Sequence, residues 1–157
     1  MKGIIVSLVC FFWCFVVADA VFSQIIWDNY SVSNGLPDTD IRSLAVDTNE
    51  NLWAGTGAGV ACYDGRTWRT YAAPDGPSDN RIQCVAAGGN GTIWCGTAGG
   101  GAFRYDGTGW SGHVPYDDGS YIRRIRSISM STDGAVFMGT DSGLFMFDGV
   151  NMTKVLP

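Results

Sequence analysis

Residues 41–71 read IRSLAVDTNENLWAGTGAGVACYDGRTWRTY. Apolar and polar residues alternate from Ile41 to Val46, the period of a strand with one buried face. A second run follows at Leu52 to Thr56, a third at Val60 to Tyr63 and a fourth at Thr67 to Tyr71. Asp64-Gly65 suits a tight hairpin because glycine adopts positive φ without a side-chain clash, and Gly57 to Gly59 serve the preceding turn in the same way. The stretch then recurs. Gly55-Thr56 returns as Gly96-Thr97 and Gly139-Thr140, 41 and 43 residues on, and Asp64-Gly65 returns as Asp106-Gly107 and Asp148-Gly149, 42 apart each time.

A period of about 40 to 45 residues holding four short strands is that of a β-propeller blade. The sequence therefore predicts an all-β chain of three four-stranded antiparallel blades, at about 41–71, 82–114 and 125–156. A spare strand precedes them at 25–30, where Trp27 and Tyr30 repeat the spacing of Trp68 and Tyr71. The ring is expected to be incomplete, because four to eight blades are typical. Such a spare outer strand often completes a blade from the other end of a propeller chain; the third blade here carries its own outer strand, which points to a piece of a longer frame. Ile41, Ile82 and Ile125 each stand 12 residues before Trp53, Trp94 and Phe137. These aromatics are expected to lie at one layer and pack between sheets, each burying an area worth roughly 2–3 kcal/mol. In each Gly-Thr pair the glycine lets a neighbouring backbone approach and the threonine hydroxyl can bond to a turn.

With 46% hydrophobic residues and 22 glycines among 157, the composition is that of a globular, turn-rich β protein. A net charge of −5 leaves no basic face for a phosphate backbone, so nucleic acid is excluded as a partner. Lys2, the apolar run from Ile4 to Val17 and Ala18-Asp19-Ala20 form the three regions of a secretory signal peptide, residues 1–20. The expected product, 21–157, is exported to the periplasm or beyond. It retains Cys62, Cys84 and Cys95, an odd number that cannot pair completely. Cys84 and Cys95 could face one another across adjacent strands, but small buried thiols filling sheet space are the preferred reading. No ligand cluster for a metal is visible, and no cofactor is implied.

The Gly-Leu-Pro loop at 35–37, the inner strand after it, Asn51-Leu52-Trp53-Ala54-Gly55-Thr56, a glycine-led third strand and Asp64-Gly65-x-x-Trp68 together resemble the two-component regulator propeller repeat. The resemblance runs from Trp27 to the C-terminus. It implies a periplasmic propeller that senses extracellular ligands, commonly glycan fragments, in regulators that also carry an immunoglobulin-like domain, a membrane helix and a histidine kinase. None of those further parts occurs in this sequence. The resemblance thus implies recognition, and no enzymatic activity is expected. A structural or protein-interaction propeller assembled from several chains is the alternative, and a lyase of the streptogramin-lactone type, which relies on a catalytic histidine, is a second.

Catalytic constellations are poor. His113 is the single histidine and is expected at the solvent edge of an outer strand, away from the buried partners a triad needs. Asp117-Asp118 reads as a solvated loop. Asp47 to Asn51 starts like a calcium loop, but Leu52 stands where its glycine belongs, and a turn opened by Asp47 explains it better. Gly96 to Gly101 joins strand to strand without a helix N-terminus to cradle phosphate. The sequons at Asn29, Asn90 and Asn151 read as turn residues. Recognition is expected at the end formed by Asn34–Asp40, Asp75–Arg81 and Pro115–Arg124, where the copies differ most. Candidate ligand-binding residues are Arg42, Arg81, Tyr116, Tyr121, Arg123, Arg124 and Arg126, for an extracellular carbohydrate or other small ligand. Arg42 and Arg126, with Gln83 at the equivalent position, could line a central channel or snorkel at its rim. Additional blades or self-association would complete the ring.

Overall fold

The computed structural model describes residues 28–117 and 119–156. The predicted signal peptide and the start of the spare strand, Trp27 included, lie outside them. After a 3-10 turn at Val32–Asn34, three antiparallel sheets follow in chain order. The first is β1 (Ile41–Val46), β2 (Leu52–Thr56), β3 (Gly59–Tyr63) and β4 (Trp68–Tyr71). The second is β5 (Ile82–Ala87), β6 (Ile93–Thr97), β7 (Ala102–Tyr105) and β8 (Trp110–His113). A two-stranded hairpin, β9 (Tyr116–Asp117) and β10 (Ser120–Tyr121), separates it from the third: β11 (Ile125–Met130), β12 (Val136–Thr140), β13 (Gly143–Phe147) and β14 (Met152–Leu156). Each sheet pairs its strands in simple sequence order, and each bears an irregularity at the same place, one residue after its leading isoleucine. Among the described residues, no helix is long and apolar enough to cross a membrane.

The repeated motifs act as predicted. Thr56, Thr97 and Thr140 donate their hydroxyls to the carbonyls of Gly59, Gly101 and Gly143 at 2.8, 2.8 and 2.9 Å, closing the turn between second and third strands. A side chain on Gly55 would come within 2.7 Å of Ile82, and one on Gly96 within 2.7 Å of Ile125. The glycine of each sheet is therefore where the leading isoleucine of the next one presses in. Asp64, Asp106 and Asp148 each accept two backbone amides of their own hairpin, and Gly65, Gly107 and Gly149 follow at φ 88°, 96° and 100°. Hydrogen bonds from the Thr108 hydroxyl and the loop amides hold the Asp106 carboxyl down at about 2.

The sheets stack face to face, and alternation along each strand sends one set of side chains forward and the other back. Trp53 and Val60 of the first sheet meet Val85, Cys95 and Phe103 of the second. Trp94 and Ala102 of the second meet Ile125, Met138 and Phe145 of the third. Cys84 and Cys95 consequently serve opposite cores as free buried thiols, and Cys62 is free and half-buried. Burial pushes the Cys84 thiol up to about 11.

Several expectations need correction. Phe137 occupies the layer of Trp53 and Trp94 but is only half-buried, because among the described residues no further sheet covers its side of the third. The described part of the spare strand, residues 28–30, forms no strand. Tyr30 nevertheless does what an outer-strand tyrosine does. Its ring lies 5.0 Å from Tyr63 and 5.6 Å from Trp68, as Tyr71 lies 5.2 Å from Tyr105 and 5.7 Å from Trp110. Together with Leu36 on Ala54 and Ala61, it covers part of the first sheet's front. The remainder stays open, with Leu44 59% and Val46 62% exposed.

Candidate functional site

At one end of the stack, the turns between second and third strands meet the segments that lead into each first strand. The backbone knits them: Ala98 donates to the carbonyl of Arg81 at 3.0 Å and Gly101 to that of Arg123 at 2.7 Å. Short turns held by the threonine hydroxyls keep this end narrow, so long side chains from different sheets reach one another. Arg42 donates across the first junction to the carbonyl of Ile82 at 3.3 Å, and Arg124 across the second to that of Ala98 at 3.4 Å.

Five of the seven predicted binding residues gather at this mouth, and four of those are tied to carboxylates. Arg42 pairs with Asp40 at 2.7 Å. Arg81 grips Asp79 with two nitrogens, at 3.0 and 3.1 Å. Burial raises the Asp79 carboxyl, but the bonds from Arg81 outweigh it and hold the group below its ordinary value; the same bond raises Arg81. Arg124 and Arg126 share Asp141, the former at 3.6 Å and the latter in direct contact. Arg42 and Arg126 are thus each anchored to a carboxylate. Arg123, the fifth, lies over the ring of Tyr121 at 5.9 Å, and Tyr121 is 62% exposed. Tyr116 and Tyr121 come together as a backbone pair of the β9–β10 hairpin. That hairpin corrects the expectation of a solvated loop over 115–124; in the sequence the dipeptide Asp118-Gly119 was the available signal, weakened by strands of two residues.

The carboxylates went unread. Asp38 and Asp79 stand three residues before equivalent isoleucines and each accepts the amide two residues on, at 3.1 Å. Asp141 occupies the turn position held by Gly57 and Ala98 in the other copies. The outcome is a gradient of charge around the mouth. The first sheet brings Asp40 onto Arg42 with Asp38 nearby, the second pairs Asp79 with Arg81, and the third brings Arg124 and Arg126 onto Asp141 with Arg123 over Tyr121.

Two expected solvent groups are otherwise employed. His113 is not at the solvent edge: its ring sits 4.9 Å from Trp94 and 5.1 Å from Phe147, with Ser111 Oγ at 3.3 Å. Burial, aided by the positive charge of Arg104, depresses its pKa. Asp117 is not merely solvated but pairs with Lys154 at 2.6 Å. Asp47 opens a turn as predicted, accepting amides of Asn49 and Asn51 and the indole N–H of Trp53 at 2.9 Å. No cluster that could hold a metal occurs among the described residues.

Fold and mouth define an open arc of a β-propeller. The resemblance to the two-component regulator propeller family holds, since residues 35–58 match the family model described as "Two component regulator propeller". The chain is similar to the extracellular domain of the protein described as the hybrid two-component system BT3049 from B. thetaiotaomicron, with 20% identity and a TM-score of 0.67 over 78% of this chain. It spans 19% of that structure's length. A second extracellular domain from that organism, of the system BT4673, is 18% identical with a TM-score of 0.47, covering 76% of this chain and 22% of that one. No curated protein matches the sequence.

Proposed function

We propose that this chain is the ligand-recognising propeller portion of an exported two-component-type regulator, without enzymatic activity, and that its mouth takes an acidic carbohydrate or another small anionic ligand. The observation that carries the reading is the arginine at the third sheet: Arg124 and Arg126 share one carboxylate, Asp141, and Arg123 has no ion-pair partner among the described residues, lying over the exposed Tyr121. Guanidinium forks bind carboxylates in pairs, and an aromatic ring offers a face to a sugar. Export is supported by the likeness of fold to an extracellular domain and by the signal-like residues 1–20. The absence of catalysis is supported by His113, which is packed between two aromatic rings and bonded to no carboxylate among the described residues. This weighs against the lactone-lyase alternative.

Titration of the purified chain with trigalacturonate, followed by calorimetry, tests the reading. Saturable binding that weakens about tenfold or more in the double variant Arg123→Ala, Arg124→Ala is the expected result. Binding that ignores the double variant, or none at all, would refute it. A second reading, an interaction propeller completed by blades from elsewhere, is favoured by one observation: the exposed Leu44 and Val46 on the first sheet's front. Light scattering that shows a discrete oligomer with no ligand affinity would support it over the first.

A further inference from the structure

Away from the mouth, a cleft of about 460 Å³ opens between the outer strands of the first and second sheets. Half-buried Tyr105 and Trp110 form its aromatic lining, with Tyr71 buried at its base, and the exposed Arg69, Asp75 and Thr108 line it as well. The three rings interlock, with centroids 5.2 to 5.7 Å apart, and the guanidinium of Arg69 lies 4.8 Å over Tyr71. We propose that this cleft is a binding site for a neutral saccharide, independent of the mouth and of the ligand proposed there.

The corresponding place between the second and third sheets shows why this one is open. There the aspartate at the equivalent position, Asp117, is neutralised by Lys154, which stands on β14 opposite Phe145. On β8 the residue opposite Phe103 is Gly112, so no lysine reaches Asp75. Asp75 has no hydrogen-bond or ion-pair partner among the described residues. The cleft thus carries a donor-only cation and an acceptor-only anion that are not spent on each other. A charged ligand is opposed by one of the two, whereas a hydroxyl accepts from the guanidinium and donates to the carboxylate. The C–H face of a pyranose ring matches the aromatic lining, and few convergent polar groups over an apolar base are the usual composition of a small-ligand site.

Cellotetraose, maltotetraose and mannotetraose, titrated separately into the full chain and followed by tryptophan fluorescence, test the site. At least one should saturate with Kd between about 10 μM and 1 mM. Asp75→Asn should weaken that binding about tenfold, and Gly112→Lys, which supplies the missing lysine, should weaken it at least as much. Arg123→Ala with Arg124→Ala should leave it unchanged, which separates this site from the mouth. Asp75 is exposed, so its variant should melt as the wild type does, and a loss of binding then belongs to the cleft. The proposal is overturned if none of the three sugars saturates, if both cleft variants bind normally, if the mouth variant alone abolishes binding, or if a proline-rich decapeptide binds where the sugars do not.

Discussion

Between the first and second sheets, Trp53 stacks on Tyr71 at 5.6 Å and nearly parallel, and its indole is held by Asp47. Between the second and third, Trp94 meets His113 at 4.9 Å and Phe147 at 5.5 Å, while Gly88 stands where the aspartate was. Both junctions share one frame, a glycine receiving the next sheet's isoleucine. They part at the periphery: tyrosines and an unpaired aspartate line the first junction's cleft, and a histidine with a lysine-neutralised aspartate occupies the corresponding place at the second. The frame is what the repeat copies; the periphery is where each copy acquires its own chemistry.

Removing the wedges tests the frame most severely. Trp94→Ala should cost about 3–5 kcal/mol in urea denaturation, and Phe137→Ala clearly less, since Phe137 lacks a covering sheet. Equal losses would break the distinction between sealed and open faces. Gly55→Ala and Gly96→Ala should each cost about 1–3 kcal/mol by overpacking against Ile82 and Ile125. Gly139→Ala meets only a serine of its own sheet, Ser127, and should cost less than either.

The histidine gives the second junction a pH dependence that the first lacks. Its pKa is lower folded than unfolded, so the unfolded chain takes up the proton first. Stability from this group is complete above the ordinary histidine value near 6.5 and is lost as pH falls through the depressed value. Denaturation midpoints should therefore decline as pH falls below about 6.5, and His113→Phe should flatten that decline. A decline that persists in the variant would place its origin elsewhere. Smallest of all, Lys154→Met should cost about 1 kcal/mol or less, as a half-exposed ion pair does.

The fold was legible because its determinants are local and repeated. Asp64-Gly65 and Gly55-Thr56 each encode a turn whose partners lie within a few residues, and each occurs three times. The candidate site was legible in position but not in pairing. Five of the proposed residues do reach the mouth. Which carboxylate each long arginine side chain takes depends on neighbours from other sheets, such as Asp141 for Arg124. His113 was misread for a similar reason: its strand is outermost, yet Phe147 of the next sheet covers its ring. Nothing near position 113 announces a residue 34 places later.

Each of the first two sheets is sealed by the one after it, so that among the described residues the second alone is covered on both faces by sheets. Amide hydrogen exchange followed along the whole chain tests this directly. The account predicts slowest exchange in Ile93–Thr97 of the middle sheet, with β1 and β12 faster. Uniform protection across the three sheets, or fastest exchange in the middle one, would contradict it.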